Sequence, residues 1–121
     1  MTLPNAESDN SVGMSNRKSH MLIPRIVRRI AERFHPEQII LFGSHARGVA
    51  GPDSDVDLLI IMPLEGAKHQ RQVEIRLALR DFPVPKDIIV TTPDDFAWRS
   101  KVPGTMERPA SREGRVLYAR K

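Results

Sequence analysis

The run Asp53-Ser54-Asp55-Val56-Asp57-Leu58-Leu59-Ile60-Ile61-Met62 does most to limit what this chain can fold into. Its unbroken apolar part, Leu58 to Met62, has the length of a strand and reads as a buried one. Aspartate is a poor strand former. Yet Asp53, Asp55 and Asp57 stand at alternate positions where the strand, Val56 to Met62, begins. Either these carboxylates cap the strand or something cationic is held there.

The remaining elements follow from periodicity and punctuation. Ile23, Ile26, Val27, Ile30, Ala31 and Phe34 mark one face of a helix from Leu22 to Phe34, with Pro24 near its start. Arg25, Arg28, Arg29 and Arg33 fall on the other side and read as a solvated face. Strands are expected at Gln38–Phe42 and Asp87–Thr91, and a glycine-rich connection at Gly43–Ser54. A helix is expected from Gly66 to Arg80, with Val73, Leu77 and the Arg80 stem on one stripe. Thr92-Pro93 reads as an N-cap and first helical residue. A last short helix, Arg108 to Gly114, precedes an apolar tail or strand at Val116–Ala119. The order helix, strand, strand, helix, strand, helix describes a small α/β (α+β) domain. Residues Met1 to Ser19 are polar and without hydrophobic period, and are expected to be disordered.

Composition excludes several classes. The chain of 121 residues has no apolar run near the ~20 needed to span a bilayer. It has no cysteine, so thiolate metal sites and thiol chemistry are absent. A cytoplasmic location is the default expectation, with no membrane partner. The net charge of +4 admits a nucleic-acid partner, but aromatics at 5% make a base-stacking platform the less favoured reading.

Three loop chemistries compete for Leu41 to Ile61. Gly43-Ser44-His45-Ala46-Arg47-Gly48 matches half of a P-loop, but Val49-Ala50 replace the lysine and hydroxyl. Asp53, Asp55 and Asp57 match the start of a calcium loop, but Leu58 and Leu64 occupy the glycine and glutamate positions. The third reading fits. Asp55 and Asp57, two apart, project from one face of a strand with Cα atoms roughly 6.5–7 Å apart. They can share two divalent ions ~3.5–4 Å apart. Gly43-Ser44 offers amides and a hydroxyl to phosphates at a helix start, and Asp87 supplies a third carboxylate at the head of another apolar strand.

Gly43-Ser44, Asp55-Val56-Asp57 and then Asp87 together resemble the nucleotidyltransferase superfamily of DNA polymerase β. The fuller string, through Ala46-Arg47-Gly48 and Ser54 to Leu58, is similar to its minimal (MNT-type) branch, as is the ending Ser111 to Tyr118. The resemblance covers about Leu22 to Tyr118. With the leader set at 1–20, it implies a nucleotidyltransferase domain at 21–121, built as a small mixed sheet flanked by helices. It further implies that Asp55 and Asp57 ligate two magnesium ions carrying the triphosphate. Asp87 would ligate the catalytic ion and help deprotonate the acceptor, and Gly43 and Ser44, with Arg47, would hold phosphates. The implied reaction moves AMP from ATP to an acceptor hydroxyl. The chain is too short to be expected to carry an acceptor domain after this core. The branch's usual partner is a small all-helical HEPN-type protein, for which the transferase acts as antitoxin. The alternatives are a non-catalytic antitoxin that masks its partner by contact and a nucleic-acid-tailing transferase. Basic residues from Arg99 to Lys121 make the C-terminal quarter the expected docking surface.

Overall fold

The computed structural model describes residues 3–51 and 53–120, with side chains described from Ser19 onward. Nine elements follow in order: α1 (Leu3–Phe34), β1 (Gln38–Phe42), α2 (Ser44–Arg47), β2 (Val56–Ile61), α3 (Lys68–Ala78), β3 (Lys86–Thr91), α4 (Pro93–Arg99), α5 (Glu107–Glu113) and β4 (Arg115–Ala119). The disordered leader expected at 1–20 lies outside the residues with described side chains, apart from Ser19 and His20. There α1 is already helical and Ser19 is buried.

Pro24 therefore sits inside α1 and not at its start. A proline in a helix interior costs about 3 kcal/mol. Ile23, Ile26, Val27 and Ile30 are all buried around it, and each such side chain contributes about 1.5–3 kcal/mol on burial. Packing outweighs the local penalty.

The sheet has strand order β3-β2-β1-β4. β1 pairs antiparallel with β2 and with β4, and β2 pairs parallel with β3 through the α3 crossover. It is a mixed sheet, as expected. Side chains alternate across it. Ile39, Leu41, Leu58, Ile60, Ile88 and Val90 face α1 and α3. Ile40, Phe42, Leu59 and Ile61 face the opposite side, where Ala110 of α5 and Phe96 of α4 cover them. Asp57 is two residues before Leu59 and Asp87 two before Ile89, so both carboxylates project toward the α4–α5 side.

One expectation about faces needs correction. On α3 the core-facing residues are Ile75 and Leu79, whereas Val73 and Leu77 are exposed. On α4 Trp98 is exposed, its indole N–H donates to Asp95 at 3.3 Å, and Arg99 lies over its ring. The Thr92 cap is as expected, its hydroxyl accepting from the Asp95 amide at 3.1 Å with Pro93 following. Glu107 is buried and ties the two short helices to the sheet. It accepts from the Thr91 hydroxyl at 2.7 Å and from Arg99 Nε at 3.1 Å.

Gly114 ends α5 in extended backbone, without the left-handed turn typical of a helix-terminating glycine. Its need is space: a Cβ there would lie 2.3 Å from the Ala110 carbonyl oxygen and 2.5 Å from Ile40 Cγ2.

Candidate active site

Three strand ends meet at one edge of the sheet. The register sets Phe42 opposite Asp57 and Asp57 beside Asp87. Neighbouring strands lie about 4.8 Å apart, so the turn after β1, Asp57 and Asp87 form a row across three strands. Asp55 precedes β2 at the same edge and is exposed.

Gly43 begins the row. Its backbone, at φ 76 and ψ −156, lies in a region that is essentially glycine's alone. A Cβ on Gly43 would stand 2.2 Å from Asp57 Oδ2. The missing side chain is what lets the Asp57 carboxylate lie against the backbone of the turn. α2 follows as a single turn: the Ala46 and Arg47 amides bond the Gly43 carbonyl at 3.1 and 3.2 Å. The amides of Ser44 and His45 take no part in these two bonds.

The connection after α2 is braced from within. His45 is buried, and its Nε2 lies 3.3 Å from the Ser54 carbonyl. The Ser54 hydroxyl accepts from the Gly51 amide at 2.9 Å, a contact that closes the turn. Gly48 closes α2 in left-handed backbone at φ 75.

Charge is concentrated at Asp57. Burial, then the neighbouring Asp87 and Asp55 carboxylates, push its pKa above 3.8, while His45 and Arg47 pull it down. An anion held among anions on a half-buried strand is relieved by a cation. Asp87 already has one: Arg76, in the last turn of α3, reaches its Oδ1 at 3.3 Å and the Ile88 carbonyl at 3.4 Å. Sequence reasoning missed Arg76. The signal lay in topology, because a right-handed crossover returns the end of α3 to the start of β3.

Arg47 lies 3.5 Å from Glu113 of α5. Both side chains are half exposed, so this pair contributes about 0–1 kcal/mol and leaves the guanidinium available to other anions. Among the described residues, no three His, Cys, Asp or Glu side chains converge closely enough to hold an ion alone. The donor set nevertheless suits magnesium. That ion takes one or two hard carboxylate ligands and fills its remaining positions with water and substrate phosphate.

A family profile described as Nucleotidyltransferase domain matches residues 23–116. A search of curated proteins finds no match. Among solved structures, the chain is similar to a candidate nucleotidyltransferase from Sulfolobus solfataricus, with TM-score 0.63 and 23% identity over 88% of this chain and 86% of that one. It is also similar in fold to a chain of a mutant form of the toxin–antitoxin MntA-HpeT, with TM-score 0.51 and 14% identity over 80% and 72%.

Proposed function

Because the chain belongs to the nucleotidyltransferase domain family, we propose that it transfers a nucleoside monophosphate, AMP from ATP, to an acceptor hydroxyl with release of pyrophosphate. The observation that carries this reading is the row formed by the Gly43 turn, Asp57 and Asp87 at one edge of the sheet. Bound magnesium ions would neutralise the triphosphate and the developing charge. Asp55 and Asp57 would hold them. The Ser44 hydroxyl and the amides of the Gly43-Ser44 turn would donate to phosphate oxygens. Arg47 would lend a guanidinium to the phosphates. Asp87, beside Asp57, would orient the acceptor hydroxyl and accept its proton once Arg76 has moved aside. Holding donor and acceptor in line supplies much of the rate.

The acceptor in this reading is a hydroxyl on a small helical partner protein of HEPN type, for which this chain acts as antitoxin. The fold likeness to a chain of a toxin–antitoxin pair supports the antitoxin role. A cytoplasmic location fits a reaction that consumes ATP. The test is incubation of the full chain with labelled ATP and magnesium, with and without such a partner. Label should appear on the partner together with pyrophosphate, and Asp55→Asn, Asp57→Asn and Asp87→Asn should each abolish it. Equal labelling by Asp57→Asn would overturn the catalytic assignment. Efficient transfer to a small molecule such as an aminoglycoside, with no partner present, would overturn the acceptor assignment alone. A second reading, an antitoxin that masks its partner by contact, is favoured by the Arg76–Asp87 pair. It requires protection of the partner by the Asp57→Asn variant without ATP.

A further inference from the structure

The expected docking surface, the basic C-terminal quarter, spends several of its cations internally. Arg99 binds Glu107, Arg108 donates to the Lys101 carbonyl, and Arg120 reaches the His35 carbonyl at 3.1 Å. A second cluster of basic residues lies elsewhere, between α1 and α3.

There, Arg29, Arg33 and Arg80 line a cavity of about 360 Å³ between α1 and the end of α3. A second groove of about 220 Å³ adjoins it, adding Arg25 and Arg28 and sharing Arg29 and Arg33. Among the described residues, the acidic groups lining the two are Asp81 and Glu32 alone. Asp81 is already neutralised by Arg29, whose contact lowers the Asp81 pKa. Among the described residues, Arg25, Arg28, Arg33 and Arg80 form no ion pair. Burial cannot explain this clustering, because all four are exposed. Like charges at i, i+3 and i+4 on a helix repel and slightly destabilise it. Arg25, Arg28, Arg29 and Arg33 accept that cost together.

We infer that this arginine-lined groove docks an acidic, amphipathic helix of a partner protein. Charge complementarity argues for the acidic stripe on such a helix. Its apolar stripe has a matching surface: Leu77, 55% exposed, lines the cavity, and Val73 stands one turn before it on α3. Arg25 and Arg29 lie over the Phe82 ring at 6.0 and 4.4 Å from its centre. These contacts hold the guanidinium planes in place, so less entropy is lost when carboxylates bind them. A nucleic-acid strand fits less well. The groove's one ring, Phe82, is buried beneath the guanidiniums, which leaves no aromatic face for a base. The groove runs to the end of α3, whose Arg76 touches Asp87. A helix seated there would be anchored within a turn of α3 from the candidate active site.

The inference stands apart from the transfer reaction and is tested apart from it. The full chain is titrated with three fluorescent probes: a helical peptide with a glutamate stripe beside a leucine stripe, the same peptide with lysine for glutamate, and a single-stranded oligoribonucleotide. The acidic peptide is expected to bind, to weaken as salt rises, and to lose at least about tenfold in affinity with Arg28→Glu and Arg33→Glu combined. Leu77→Ser should weaken it as well. Magnesium–ATP binding should be unchanged, since none of these residues touches the Asp57 row. Binding of the acidic peptide that survives the charge reversal, or equal binding of the lysine peptide, would overturn the inference. Preferential, charge-reversal-sensitive binding of the oligoribonucleotide would overturn it in favour of a phosphate-backbone surface.

Discussion

Gly43→Ala tests the geometry of the candidate site at its tightest point. The new Cβ would stand 2.2 Å from Asp57 Oδ2 and 3.2 Å from Asp57 Cγ, closer than non-bonded atoms can approach. The carboxylate must swing away, because the β1–β2 pairing on either side holds the backbone. The backbone conformation adds its own penalty. At φ 76 and ψ −156 an alanine is strained by about 1–3 kcal/mol. In a chain of this size each kcal/mol lowers Tm by roughly 4 °C.

Gly48→Ala is the matched control. It too has a positive φ, of 75, in the left-handed helical region, where alanine costs about 1–2 kcal/mol. But nothing lies within 4 Å of its added Cβ. Both variants should therefore melt lower, and only Gly43→Ala should lose substrate. Displacing Asp57 forfeits a charge-assisted contact of about 1.5–3 kcal/mol, or roughly tenfold or more in affinity. The assay is thermal melting, with calorimetric titration of a non-hydrolysable ATP analogue in magnesium at a temperature where both variants are folded. Affinity of Gly43→Ala within twofold of Gly48→Ala would refute the claim that Asp57 must lie against that backbone.

Three further outcomes are expected. Burial and two neighbouring carboxylates raise the Asp57 pKa above 3.8, so its ionised form burdens the folded state, and stability is lost as pH rises through the raised value. Without metal, Asp57→Asn should melt at or above wild type near neutral pH, with the gap closing below pH 3.8; a lower melting point at neutral pH would contradict the electrostatics. Asp87→Asn should stop turnover while magnesium–ATP binding persists, whereas Ser44→Ala should mainly weaken that binding; equal loss of nucleotide in Asp87→Asn and Asp55→Asn would undo the division of roles. Glu107→Ala leaves the fully buried Thr91 hydroxyl without its acceptor, at a cost of about 1–3 kcal/mol. Melting should report that loss, with turnover kept at low temperature.

Where a structural rule acts over a few residues, the sequence was legible. Gln38–Phe42 and the Thr92-Pro93 helix start lie where local pattern puts them, because a short apolar run, a capping hydroxyl and a proline each act on adjacent residues. Gly43, Ser44, Asp55, Asp57 and Asp87 could be singled out because glycine and carboxylates at the ends of apolar strands are chemically out of place. That they stand in one row depended on pairing between distant strands. Val73 and Leu77 form one i, i+4 stripe on α3, and Ile75 and Leu79 form another. Their spacing is identical, so periodicity could not choose between them. The crossover decided, turning Ile75 and Leu79 onto the sheet. In the same way, the buried place of His45, the grip of Arg76 on Asp87 and the clustering of arginines between α1 and α3 are contacts between remote segments. The sequence by itself singled out the candidate residues. The packing of helices on a twisted sheet decided which of them meet, because side-chain direction there is set by long-range burial and not by neighbours in the chain.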